Sequence, residues 1–526
     1  MRRLFERVRT PVAVWIGAVL LIALALRLWG SGYGLPAYTR YHPDEHALVE
    51  PAAQILWTGD WNLGRFNYPA FYAYIQTLVH AGYFLYGAAQ GLWSQVFPFT
   101  IPQYYHASRV VTALFGTLSV LVVHLAGREM FRRRAALLSS ALLATSYLHV
   151  VHSHYATFDV MVAFLAVLTL LFSELLLARG EAKWYLLAGL CAGLAGATKY
   201  NGAIVLLVPL AAHILATPWG EWGWLNGRLF LGLGGFAVGF LGGNPYALGN
   251  MDQFLNGLAT VLHHYGTQQP GFEGTGNWRW YLHATLTSAD ALWVVTGVVG
   301  LVGMFWREWK KGLLVVLFPL VYYLMISSFV VRFERNLVPV LPFLALGGGW
   351  LLDMLADRMA RRFGRGGRAS QALAFVGVLL ITGAPLIAAV SFDAAIAKTD
   401  LREVAGEWVE ENIEWGSKIA IEHYSIPFDH TEYWVKDVVR ITDHDLDWYL
   451  REGFDFLIIS DGVWDLLLKH PDAYRQKTEA YRDLVERSKL VAEFVPDPPK
   501  IVVAGYPTIA VYHFAPVRIY RLPGSG

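Results

Sequence analysis

Stretches of apolar residues long enough to cross a lipid bilayer recur along this chain, and the dense Lys and Arg clusters between them fall at alternate ends. Backbone groups inside a bilayer must find their partners within the chain, so these stretches are predicted to be helices packed as a bundle. Composition agrees, with 55% of the residues hydrophobic, 16% charged and a mean hydropathy of +0.38. Spans are read at about Val12 to Trp29, Ala107 to Ala126, Ala135 to Val151, Phe158 to Ala178, Trp184 to Thr198, Gly202 to Ala216, Leu229 to Tyr246, Ala284 to Trp306, Leu313 to Val330, Leu337 to Leu352 and Ala369 to Ser391. These are about eleven crossings, with the N-terminus cytoplasmic and the C-terminus external. Met1 to Arg9 carries four arginines, but the run behind it lacks a small-residue cleavage site and reads as a retained helix. Phe71 to Trp93 is rich in Tyr, Gly and Gln. Counting it as a crossing would move Arg128, Arg132, Arg133 and Arg134 outside, so an interfacial helix roofing the outer face is expected there.

A formal net charge of +1 gives no reason to invoke nucleic acid. The single Cys191 lies in an apolar run and excludes a disulfide framework. After Phe392 the composition becomes that of a soluble domain. The expected division is a transmembrane unit, 1–391, whose first external loop is 31–103, and an external α/β domain, 392–526. In the latter, a helix is predicted over Arg402 to Asn412, strands over Lys418 to Ile421 and Phe454 to Ser460, a helix over Asp472 to Leu484, and a last strand over Ile509 to Phe514.

Chemistry is expected at the outer face. Tyr41-His42-Pro43-Asp44-Glu45-His46 follows the first span, and Pro43 at the first position of a helix would put Asp44 and Glu45 in its first turn. An ionised carboxylate there can accept a proton from an attacking hydroxyl. The competing reading is simple complementation of the helix dipole. The turn holding His152, His154 and Asp159 meets the same face, as do Lys199-Tyr200-Asn201 and Arg332, Glu334 and Arg335. Lys199 as a point charge and Arg332 or Arg335 as forked donors suit a phosphate, against the alternative that they only snorkel to the interface. His42 and His46 are four residues apart, and His152, His154, His263 and His264 could join them around a transition metal. The full His-Glu-x-x-His pattern is missing, so a site without a metal or other cofactor is expected.

At these motifs the chain resembles the GT-C type membrane glycosyltransferases that use polyprenyl-phosphate sugars, in particular the protein O-mannosyltransferase and aminoarabinose-transferase superfamily. The resemblance is carried by His42-Pro43-Asp44-Glu45 with Thr58-Gly59-Asp60 and Asn67-Tyr68-Pro69, by the turn ending in Asp159, by Ala197 through Gly202, and by Arg332 through Pro342. Asp400 through Trp408 also resembles the opening of the external domain in many bacterial members. The resemblance implies a GT-C fold and an inverting single displacement at the outer face of a prokaryotic cytoplasmic membrane. It implies Asp44 as catalytic base with Glu45 as its acidic neighbour, and Lys199 as a cation near the donor phosphate, with Arg332 or Arg335 expected beside it. Asp159, His154, His42, Tyr200 and Asn201 are then expected to orient sugar or acceptor. The partners implied are a polyprenyl-phosphate-linked sugar, a glycan, lipid or protein acceptor, and the bilayer. The external domain differs from the β-rich insertion of the protein mannosyltransferases, which weighs against a protein acceptor. A flippase or transporter of a lipid-linked sugar is the alternative, and a scaffold that recruits partners is a third reading.

Overall fold

The computed structural model describes residues 11–36, 42–92, 101–217, 225–267, 277–364, 366–423, 425–426, 432–468, 471–472 and 474–524. Every stretch read as a span is helical, with shifted ends. Pro102–Met130, Asp159–Arg179, Trp309–Ser328, Glu334–Arg362 and Gly367–Asn412 contain helices long and apolar enough to cross a membrane, and Ala13–Leu28, Tyr200–Ala216, Gly227–Gly243 and Ala291–Arg307 are shorter apolar helices. The chain is a multi-pass membrane protein with an α-helical bundle and a small C-terminal sheet domain. Phe71–Ala89 is helical too, and Trp93 lies outside the described residues. This helix packs against His46–Thr58 through Thr77, which donates to the Ala52 carbonyl at 3.2 Å. It meets Ile101–Met130 through Tyr72–Thr112 at 3.0 Å and His80–Ser108 at 2.8 Å.

Helices in a bilayer gain little from burying apolar surface against one another, so close backbone approach through small residues matters more. Ala182–Thr198 and Gly227–Gly243 meet in this way: a β-carbon at Gly189 would collide with the Gly232 carbonyl. Gly300 and Gly347 join Ala291–Arg307 to Leu341–Arg362 by the same means. The first contact fixes the helix that ends at Lys199, and the second fixes the helix preceded by Arg335.

Two breaks shape one end of the bundle. Arg133–Thr145 stops and Tyr147–His152 restarts at Ser146. The new N-terminus is capped from another part of the chain, because Tyr147 and Leu148 donate their N–H groups to the two oxygens of Asp290 at 2.9 Å each. Glu334–Val340 is a 3-10 turn containing Pro339, and it leads into the helix Leu341–Arg362 with Pro342 in its first turn, where a missing N–H costs nothing.

The C-terminal sheet runs β2 (Trp434–Val438), β1 (Lys418–Glu422), β3 (Phe456–Ser460), β5 (Val517–Arg521), β4 (Lys489–Phe494). β1 is parallel to β2 and β3, and β5 is antiparallel to β3 and β4. Helix Leu401–Asn412 covers one face through Ala405 and Val409, while Tyr449, Trp464 and Leu484 fill the other. The expected strand at Ile509 to Phe514 is instead a helix, Pro507–His513, and the last strand is β5. Pro507 at its start sets a helical φ, and Ile509 packs into the bundle, not the sheet. The preceding helix Gly367–Ile396 runs past Ser391, with Phe392 buried in the bundle core.

Candidate active site

The turn 42–45 precedes the helix His46–Thr58, which starts later than expected. Asp44 therefore lies ahead of the first helical turn, and His42 and His46 do not share a helical face. Asp44 meets Arg335, whose Nη1 donates to Asp44 Oδ2, the two side chains being 24% and 15% exposed. The Arg335 guanidinium also lies over the Phe333 ring at 4.4 Å. One residue further on, Asn336 Oδ1 accepts from Lys199 Nζ at 3.3 Å, and Asn336 Nδ2 donates to the Tyr281 hydroxyl at 3.0 Å. Lys199 Nζ donates to Asp159 Oδ1 at 2.7 Å. A single turn of backbone thus joins an acid–arginine pair to an acid–lysine pair.

Lys199 caps the C-terminus of Ala182–Thr198 in an extended conformation, φ −150° and ψ 128°, which turns its side chain away from the helix. Burial disfavours its ammonium, but the neighbouring Asp159 outweighs this and holds the amine above the usual lysine range. The same pair leaves Asp159 Oδ2 without a hydrogen-bond partner, and His152, Asn201, Tyr322 and Asn67 also carry buried unpartnered polar atoms. Buried polar atoms are rarely left unpaired in a folded chain, and their clustering near a charged pair marks room for a polar ligand or water.

His42 lies between the rings of Tyr155 at 4.3 Å and Tyr512 at 5.0 Å, and its Nδ1 accepts from the Asp44 N–H at 3.3 Å. Burial and the facing Arg335 hold it well below the usual histidine range, so it is a neutral wall and not a cation for a phosphate. Tyr200 donates to the Phe66 carbonyl at 2.6 Å. Arg332 donates to Asn277 Oδ1 at 2.6 Å and lies over Trp280 at 5.4 Å.

Two expected site residues have other duties in this geometry. Glu45 is fully buried. It forms a fully buried pair with Arg109 at 2.7 and 2.8 Å, and also accepts from the Ala156 N–H at 2.7 Å. Its carboxylate is spent on tying the turn to the helix Ile101–Met130. His154 points to the first helix, with Nε2 at 2.9 Å from the Trp29 carbonyl and 3.4 Å from Asp393. Arg109, Asn336, Tyr281 and Asp290 were not anticipated. Arg109 shows in the sequence as an arginine inside an apolar run, and Asn336 lies within the run Arg332 through Pro342 that carries the resemblance. His263 and His264 are exposed near the end of the helix Met251–Gly266. Among the described residues, no three His, Cys, Asp or Glu side chains are grouped to hold a metal ion.

A groove of about 920 Å³ lies beside this site. It is almost wholly apolar, and Trp278, Tyr281, Val298, Tyr323, Leu337 and Tyr506 are among its walls. Tyr281 joins the groove to the charged site, since its hydroxyl is the partner of Asn336.

Residues 91–241, which include Asp159, Lys199, Tyr200 and Asn201, match the family described as dolichyl-phosphate-mannose-protein mannosyltransferase. The ArnT structure from Cupriavidus metallidurans bound to undecaprenyl phosphate superposes with a TM-score of 0.53 at 15% identity, covering 97% of each chain. The chain has the GT-C fold. The apo oligosaccharyltransferase of Archaeoglobus fulgidus is a second structure of this GT-C type, with a TM-score of 0.52 at 12% identity over 93% of this chain and 74% of the other. No curated protein is similar in sequence at a significant level. The superfamily resemblance carried by the sequence motifs is thus borne out, and the GT-C fold accounts for a site built from several helix termini at one end of the bundle.

Proposed function

We propose that the protein is an inverting glycosyltransferase that moves a sugar from a polyprenyl-phosphate donor to an acceptor hydroxyl. The observation that carries this reading is the joining of Asp44–Arg335 to Lys199–Asp159 through one turn, beside an apolar groove. The acceptor oxygen attacks the anomeric carbon from the side opposite the phosphate, and its proton passes to Asp44 as the carbon–oxygen bond to the phosphate breaks. The departing prenyl phosphate carries the electron pair. Lys199 and Arg335 meet its negative charge, Arg335 by turning from Asp44 to the phosphate oxygens, which frees the base. Asp159, His42, Tyr200 and Asn201 line the sugar side, and the prenyl chain lies in the groove next to Tyr281. Arg332, two residues ahead of that turn, is a secondary cation. Glu45 serves the scaffold through Arg109.

The same reading sets the site at the outer face of a prokaryotic cytoplasmic membrane, with the N-terminus cytoplasmic and the C-terminal domain external. Its support is that Arg132 and Arg134, which pair with Asp357, follow the end of the helix Ile101–Met130 that is opposite to Arg109, the partner of Glu45 next to Asp44. The lipid phosphates bound in the structures of the GT-C neighbours, undecaprenyl phosphate for ArnT and dolichol phosphate for the archaeal oligosaccharyltransferase, point to the donor class. They do not choose the sugar. The test is product analysis after the protein, in vesicles, is incubated with prenyl-phosphate sugars labelled in the sugar. Release of prenyl phosphate with the label on an acceptor in inverted configuration is expected. Movement of intact carrier across the bilayer without bond cleavage would establish the flippase reading instead.

A further inference from the structure

The stretch from Lys500 to Phe514 leaves the C-terminal sheet, enters the bundle and returns to β5. Its two short helices, Lys500–Val503 and Pro507–His513, place Val502, Tyr506 and Ile509 in the same apolar cluster as the bundle helices. Gly505 makes the corner between them at φ 79°, and a β-carbon there would collide with the Ala284 carbonyl. Polar contacts fix this strap to the bundle at three residues besides His513, whose Nε2 meets the Tyr155 hydroxyl at 2.8 Å. Tyr147 donates to the Val502 carbonyl at 2.5 Å, and Tyr506 donates to Asp290 at 3.2 Å. Thr508 gives its N–H to Glu334 Oε1 at 3.2 Å and its hydroxyl to Glu334 Oε2.

The third contact reaches the chemistry. Glu334 is fully buried and opens the 3-10 turn whose next two residues are Arg335, held to Asp44, and Asn336, held to Lys199. A buried carboxylate that loses a donor must find another or move, and a shift of Glu334 displaces the two side chains that follow it. We propose that Thr508 of the C-terminal domain is a positioning residue: by holding Glu334 it fixes the turn that presents Arg335 to Asp44 and Asn336 to Lys199. The sheet domain therefore completes the site from outside the bundle. The catalytic consequence rests on the function proposed above, whereas the fixing of the turn does not.

The test uses the full chain in lipid nanodiscs, comparing wild type with Thr508→Val, which removes the hydroxyl, and Thr508→Ser, which keeps it. Hydrogen–deuterium exchange over residues 334–340 reports the turn, and sugar transfer from a prenyl-phosphate sugar reports the chemistry. Thr508→Val is expected to speed exchange in that turn about tenfold and to lower kcat by about tenfold, with KM for the donor within about threefold, while Thr508→Ser stays close to wild type. Should Thr508→Val fail to fold, Glu334→Asp, one methylene too short to reach the strap, takes its place with the same expectation. Wild-type exchange in Thr508→Val, or accelerated exchange with unchanged kcat, overturns the positioning role. If the wild type transfers no sugar, the proposed function fails separately, and the exchange data still decide whether Thr508 holds the turn.

Discussion

Arg335 and Asp44 stand 291 residues apart in the chain and form one ion pair at one end of the bundle. The pair is partly open, in contrast to the Glu45–Arg109 pair beside it, which is wholly enclosed. A carboxylate and an arginine that must exchange partners during a reaction need that access, and a structural pair does not. Arg335→Lys keeps the charge and loses the planar fork. A fall in kcat of about ten- to a hundredfold is expected, measured as initial rate at saturating donor. An unchanged rate would remove Arg335 from the phosphate's surroundings.

Lys199 and Asp159 test stability and chemistry separately. Lys199→Met leaves Asp159 buried without its cation, which costs roughly 3–5 kcal/mol and should lower the unfolding temperature sharply. Lys199→Met combined with Asp159→Asn removes both charges and is expected to recover most of that stability while transfer stays lost. If the double variant regains activity along with stability, Lys199 serves only the fold.

Glu45→Gln breaks a buried pair and is expected to destabilise by roughly 3–5 kcal/mol. The folded fraction should keep kcat within a few-fold of wild type, determined by normalising rates to active-site content. A loss beyond a hundredfold in well-folded protein would return Glu45 to the chemistry as a second acid.

Helix existence was legible from composition because apolar runs of this length admit only one satisfied backbone conformation in lipid. That Asp44, Lys199 and Arg335 lie at the ends of helices was legible from where those runs stop. What was not legible depends on contacts distant in sequence. Nothing near Ser146 announces that its helix restarts under a cap from Asp290, 143 residues from Tyr147. Glu45 reads like Asp44 until Arg109 is seen to enclose it. Ile509 to Phe514 is a short apolar run, and such a run reads equally as a buried strand or a helical segment until its partner is known. Its partner is the bundle.

The sheet domain carries its own pH dependence. Glu422 at the end of β1 accepts from the Ile441 and Ser460 N–H groups at 2.9 and 3.2 Å, yet burial pushes its carboxyl up from 4.5 to about 8. Between those values the folded state holds a proton that the unfolded state has released, so stability falls as pH rises from about 4.5 to about 8 and levels off above. Unfolding of the sheet domain followed at several pH values, by hydrogen–deuterium exchange over β1 and β3, should show that slope. In Glu422→Gln the slope should vanish, whatever that change does to absolute stability. A slope that persists would assign it to another group.

The most direct measurement is the transfer rate of Asp44→Asn, an isosteric change that removes the base, with a labelled prenyl-phosphate sugar in a sample whose unfolding matches wild type. A fall of roughly 10²–10⁴-fold is expected, with donor still bound. Turnover close to wild type in that folded sample would contradict the account at its centre.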